Sequence, residues 1–317
     1  MDIHKVLTTP PPVLDQVLPG LLAGTFGVCA AAGGSGKTTL LLQMCFALAT
    51  GTPLCDGLFE DIDAVRRAPA KVVMVCAEES ASIIWHRLHA IAAHLLKDDP
   101  SMTVDDRAEF LRHLQANLVV FPLQGVSNLA LLDEDFAPTD SFSDLADVCK
   151  SARLVVLDPL RQFHRGDENK SDAMNAVAQL LQQLATRSGA AVIAAHHTNR
   201  ASTNEGNADQ AGAARGSTAL SDAARWQANL WRPTPAILKQ YDIAADDVSR
   251  YVCLNIAKAN YMAPRPLSLL QRVEGGVLAV VPPRLKKGVP TRRRGAPQRG
   301  AANASMFADN AAVGGKR

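Results

Sequence analysis

Short runs of consecutive apolar residues alternate along the chain with longer stretches whose apolar residues recur every three or four positions. The runs read as buried strands. They are TFGVCAA from Thr25, KVVMVCA ending at Glu78 and Glu79, NLVVF from Asn117, RLVVLD ending at Asp158, and AAVIAA leading into His196 and His197. The helical stretches are 37–49, 80–96, 143–150 and 172–187; in the second, Ile84, Leu88, Ile91 and Leu95 share one face. Ser80 stands where a helix cap is expected. Residues 53–69 and 198–214 read as loops, the latter polar and rich in Gly, Asn and Ala. Beyond residue 250 the rhythm changes. Residues 251–257, 267–271 and 277–281 read as strands with no long helices between them, joined by short turns such as Glu274-Gly275-Gly276.

Apolar strands alternating with helices imply an α/β fold, a mostly parallel twisted sheet with helices on both faces. The last strands extend it in antiparallel fashion. The expected organisation is a Pro-rich leader over 1–20, one domain over 21–283 and a basic disordered tail over 284–317.

Composition supports a globular reading: 47% of the 317 residues are hydrophobic, enough for a sizeable core. The N-terminus lacks an apolar stretch of signal-peptide length, and no run approaches the roughly 18 apolar residues of a membrane helix. A cytoplasmic protein without a membrane partner is expected. Six cysteines form no C-x-x-C pair, and several sit in apolar runs, so they read as reduced, buried thiols. The net charge of +2 conceals an asymmetry. From Arg284 onward nine Lys/Arg face one acid, Asp309, a net of +8, leaving 24 Lys/Arg against 30 Asp/Glu, a net of −6. Such a tail is drawn to polyanions.

The chemistry concentrates in AAGGSGKTT, which follows the first apolar strand and opens a helix. That context identifies a phosphate-binding loop, Gly-x4-Gly-Lys-Ser/Thr, although Ala31 holds the place of the leading glycine. Gly33, Gly34, Ser35 and Gly36 turn backbone N–H groups toward phosphate oxygens, aided by the positive end of the new helix. Lys37 reaches the β- and γ-phosphates, the Thr38 hydroxyl holds Mg²⁺, and Thr39 completes the loop. ATP with Mg²⁺ is the implied ligand.

Hydrolysis needs carboxylates as well. Asp158 ends a buried strand, at the sheet edge where a metal-directed aspartate belongs. Glu78 and Glu79 end another; with that strand beside the phosphate-loop strand, one of them faces the γ-phosphate. Glu78 continues the apolar strand and reads as the base, while Glu79 starts the next helix, where its charge suits the dipole. Of His196 and His197 one faces the γ-phosphate as a sensor, since neighbours on a strand diverge.

GGSGKTTLLLQ, CAEES, WHRLHAI, LVVLDPLRQFH, AAHHT, ARGSTALSDAARW and AKANY occur in this order. Together they resemble the RepA family of plasmid replicative helicases, within the RecA/KaiC-like P-loop ATPases, over roughly residues 11–281. The resemblance implies a RecA-like fold and hexameric rings that hydrolyse ATP between subunits and move along single-stranded DNA. It implies Glu78 as the residue that activates water, Asp158 as the metal holder through water, and His197 as the sensor. It makes Arg215 an arginine finger reaching the neighbouring subunit's γ-phosphate, with Arg87 and Lys258 near the same junction. Loops 161–169 and 198–214 would face the ring channel, where Arg161, His164, Arg165 and Arg200 contact phosphates. A replication initiator or primase is the implied partner. Two other readings stay open: a KaiC-like nucleotide switch without unwinding, and a small-molecule kinase.

Overall fold

The computed structural model describes residues 1–60, 68–97, 102–197 and 218–282. In chain order its strands are β1 Gln16–Leu18, β2 Leu21–Leu22, β3 Phe26–Ala31, β4 Val72–Cys76, β5 Leu118–Pro122, β6 Leu154–Asp158, β7 Ala191–His197, β8 Trp226–Trp231, β9 Tyr251–Ala259, β10 Ser268–Arg272 and β11 Leu278–Val280. Its helices are α1 Ile3–Thr8, α2 Lys37–Thr50, α3 Ala81–Lys97, α4 Val104–Asn117, α5 Asp140–Val148, α6 Ser171–Ser188, α7 Ala219–Ala223 and α8 Pro235–Gln240.

Nine strands form the main sheet, in the order β11-β10-β9-β8-β3-β7-β6-β4-β5. The six from β8 to β5 are parallel, and β9, β10 and β11 add to β8 in antiparallel fashion. Side chains alternate between the faces. Val72, Met74 and Cys76 of β4 join one core with α2, while Val73 and Val75 join another with α5 and α6. Burial on both faces is why these strands read as unbroken apolar runs. The α3 stripe packs as its spacing predicts, with Ile84 and Ile91 buried and Leu88 and Leu95 against the same core.

The order corrects one expectation. The neighbours of β3 are β7 and β8, not β4, which lies beyond β7 and β6. The parallel β8 carries Gln227 and Asn229, fully buried and hydrogen-bonded to each other at 2.8 Å, so its apolar run is broken in the sequence. The expected boundary at residue 20 falls in the β1–β2 turn, whose Val17, Leu18 and Leu21 are buried. Arg153 ties this segment down through both guanidinium ends to Asp15. All six cysteines are free and buried. Among the described residues no helix is long and apolar enough to cross a membrane. The 284–317 tail, loop 198–214 with Arg200, and Arg215 lie outside the described residues.

Candidate functional site

The carboxyl ends of β3, β4, β6 and β7 open into a cavity of about 330 Å³. Between β3 and α2 the chain turns through Ala32, Gly33, Gly34, Ser35 and Gly36. Ser35 clamps the turn, its hydroxyl and N–H both donating to the Ala32 carbonyl at 2.6 and 3.2 Å. Gly34 (φ 71°) and Gly36 (φ 96°) adopt the left-handed conformation that disfavours any side chain. A side-chain carbon on Gly33 or Gly34 would meet nothing within 4 Å, so their backbone is open to a ligand. Ala31 is still a β-strand residue, in register with His197 of β7 and Leu230 of β8, and its methyl packs in the core. The backbone requires glycine at 34 and 36, not at 31.

Lys37 and Thr38 open α2 and meet Asp158, the last residue of β6. The Thr38 hydroxyl donates to Asp158 Oδ2 at 2.6 Å. Lys37 Nζ lies 3.5 Å from Asp158 Oδ1, with the two side chains only 8% and 6% exposed. Among the described residues that buried ammonium has no hydrogen-bond partner. An unsatisfied buried cation of this kind fits a polyanion. The hydroxyl–carboxylate pair also fits Mg²⁺, which takes one or two protein oxygens and completes its shell with phosphate and water. Among the described residues no group of three or more His, Cys, Asp or Glu cages a metal by itself.

Glu78 and Glu79 line the same cavity but do different things. Glu78 is exposed and accepts a 3.3 Å hydrogen bond from Gln162 Nε2, in the turn after Asp158. Glu79 is held by Arg87 of α3 through two hydrogen bonds, Nε to Oε2 at 2.7 Å and Nη2 to Oε1 at 2.5 Å. The third arm of Arg87 donates to Thr39 Oγ1 at 2.8 Å. An arginine, not the helix dipole, is therefore the main partner of Glu79. The pair ties α3 to the start of α2.

On β7, His197 lines the cavity while His196 turns away, its Nδ1 3.8 Å from Glu168 Oε1. Cys76 also lines the cavity, but burial and then the Asp158 charge push its thiol above its ordinary range, so it is no nucleophile at neutral pH.

Gly33, Gly34, Ser35, Gly36, Lys37, Thr38, Thr39, Glu78, Arg87, Asp158 and His197 thus surround one cavity. Lys258 does not line it. On β9, it donates to the carbonyls of Ser221 and Asp222 at 2.8 Å each, and burial lowers its pKa. Arg161, Gln162 and Arg165 border a second, polar cavity of about 510 Å³. His164 is a correction. Its side chain is 2% exposed, and burial lowers its pKa to about 4, so it is neutral and hidden from any phosphate backbone.

Two site residues had no local signal in the sequence. Gln162 follows Asp158 by four positions and reaches Glu78 only because β6 lies beside β4. Arg272, on β10, lines the cavity from the antiparallel extension.

Comparison with known proteins agrees with this architecture. One solved ATPase domain superposes with a TM-score of 0.54 at 15% identity, over 82% of this chain and 86% of that one. A DnaB-like replicative helicase, described with its interactions with primase, gives 0.52 at 14% identity. That match covers 81% of this chain but 57% of the helicase chain. At such identities the likeness establishes the fold alone, an α/β architecture shared with those domains. Residues 1–203 match the family described as an AAA domain. The chain belongs to that AAA domain family.

Proposed function

We propose that the protein is an ATP-hydrolysing, ring-forming helicase or translocase on single-stranded DNA, of the RepA type, in plasmid or mobile-element replication. The observation that carries the ATPase half is the Lys37–Thr38–Asp158 constellation at the end of the phosphate loop, with Glu78 across the same cavity.

In this reading the N–H groups at the start of α2 and the Lys37 ammonium hold the β- and γ-phosphates of ATP. Thr38, and Asp158 through water, would hold Mg²⁺, which would supply positive charge for the phosphate oxygens. Glu78 orients a water molecule and takes its proton as the oxygen attacks the γ-phosphorus, and ADP leaves. Its hydrogen bond to Gln162 fixes the carboxylate against the turn after Asp158. His197, at the β7 edge, senses the γ-phosphate. Arg215 of a neighbouring copy supplies the charge that completes the site, a contribution of roughly 10³–10⁵ in rate for a trans-acting arginine. Arg87 and Lys258 support the same junction, Arg87 through its tie to Glu79 and Thr39. Single-stranded DNA threads a hexamer past loops 161–169 and 198–214, contacting Arg161, Arg165 and Arg200. The basic 284–317 tail adds attraction for the polyanion, and an initiator or primase loads the ring.

The test is ATP turnover with and without single-stranded DNA, alongside native mass measurement. Stimulation by DNA in an oligomer is expected. Hydrolysis by a monomer, indifferent to DNA, refutes the motor reading.

A further inference from the structure

We propose that Arg272 is a positioning residue for the phosphate loop, holding it in its anion-accepting shape and so governing nucleotide affinity more than turnover. The proposal deepens, and rests on, the reading of this cavity as a nucleotide site.

Arg272 ends β10, more than 230 positions along the chain from the loop it serves. Its Nη2 donates to the carbonyl of Ser35 at 2.6 Å and to that of Gly34 at 3.2 Å. Its Nη1 stands 2.8 Å from where a side-chain carbon on Gly36 would lie. The guanidinium therefore occupies the space on that side of Gly36, and a side chain there would have to displace it, besides being disfavoured by the φ of 96°.

The consequence follows from the planar trans peptide, in which C=O and N–H point in opposite directions. Holding the Gly34 and Ser35 carbonyls turns the Ser35 and Gly36 N–H groups the other way. The Ser35 N–H closes the turn on Ala32. That leaves the Gly36 N–H, with the first N–H groups of α2, for the phosphate oxygens. Without the guanidinium, two carbonyl dipoles are free to swing toward the cavity and oppose an incoming anion.

The charge balance points the same way. Among the described residues Arg272 makes no salt bridge to a carboxylate, and its hydrogen bonds end on neutral carbonyls. Burial, and then the nearby Arg232, press its pKa down, so the cation is held against a local charge penalty. A polyanion beside Arg272 relieves that penalty.

The experiment uses the full chain and titrates a fluorescent ADP analogue with Mg²⁺ into wild type, Arg272→Ala, Arg272→Lys and Lys37→Met. Unliganded melting temperature, kcat and KM are measured beside it. For Arg272→Ala the expectation is a rise of about tenfold or more in Kd and KM, with kcat falling by less than about threefold. Arg272→Lys, able to serve one carbonyl at a time, recovers part of the loss. A merely structural arginine would lower the unliganded melting temperature and leave the affinity of the folded fraction alone. A Kd within about twofold of wild type, or a fall in kcat with Kd and KM unchanged, overturns the proposal. If Arg272→Ala does not fold, Arg272→Lys decides: a clear loss of affinity supports it and wild-type affinity overturns it. Lys37→Met separates the two levels. If that variant loses binding while the Arg272 variants keep it, the positioning role fails and the nucleotide reading stands. If wild type binds no nucleotide, both fail.

Discussion

Replacing Lys37 by methionine keeps the aliphatic stem in its buried slot and removes only the charge. Among the described residues that charge has a single acidic contact, Asp158 at 3.5 Å, and no hydrogen bond. Asp158 keeps the 2.6 Å hydrogen bond from Thr38 when Lys37 is gone. The substitution also leaves the buried Asp158 carboxylate without its cation, so the net loss of stability is expected to be about 3–5 kcal/mol. Binding is another matter. A unit charge about 4 Å from a phosphate oxygen at an effective dielectric constant near 20 is worth about 4 kcal/mol. At about 1.4 kcal/mol per decade, Lys37→Met should weaken ATP binding about a thousandfold. Calorimetric titration of ATP and of adenosine into wild type and variant checks this, with melting curves as the control. Adenosine, which lacks phosphates, should bind both proteins alike. ATP affinity within about tenfold of wild type would refute the assignment of Lys37 to the phosphates.

Other outcomes follow from the same geometry. Restoring the leading glycine by Ala31→Gly should leave nucleotide affinity unchanged and lower stability by about 1–2 kcal/mol, from a buried methyl lost and a glycine placed in a strand; tighter binding, read by the same titration, would contradict the strand assignment. Acid should destabilise the fold through His164, which faces Arg161, His196 and Glu168. Its pKa is lowered from 6.5 to about 4, so between those values the unfolded chain binds more protons, and stability is full above pH 6.5 and lost as pH falls toward 4. The loss is about 3 kcal/mol at 1.36 kcal/mol per unit. Urea unfolding at pH 7.5 and 4.5 should show it, His164→Gln should flatten it, and an unaltered pH dependence in that variant would exclude His164 as the source.

What the sequence made legible depended on where each residue's partners lie. The runs FGVCAA, VVMVC, LVVLD and AVIAA are continuous because helices cover both faces of a parallel sheet, and each was readable as a strand. The residues at their carboxyl ends then fell around one cavity. Strand order was another matter. Apolar runs say which segments are buried, not which lie side by side, and β8 was hidden by Gln227 and Asn229, polar residues that share a hydrogen bond in the core. Helix α4 was also missed, although Thr103 and Asp106 form a capping box. Thr103 Oγ1 accepts from the Asp106 N–H at 3.1 Å, and Asp106 accepts from the Thr103 N–H at 2.8 Å. Arg272 had no signal at all, because its partners are backbone carbonyls on another segment and carbonyls leave no mark on composition.

The central claim is that ATP hydrolysis is completed where two copies of the chain meet. Its most direct measurement is the turnover of a mixture of Glu78→Gln and Arg215→Ala subunits, each inactive alone. The account predicts that mixing restores activity, because a fraction of junctions then pairs an intact Glu78 with an intact Arg215. A mixture no more active than its two components would contradict it.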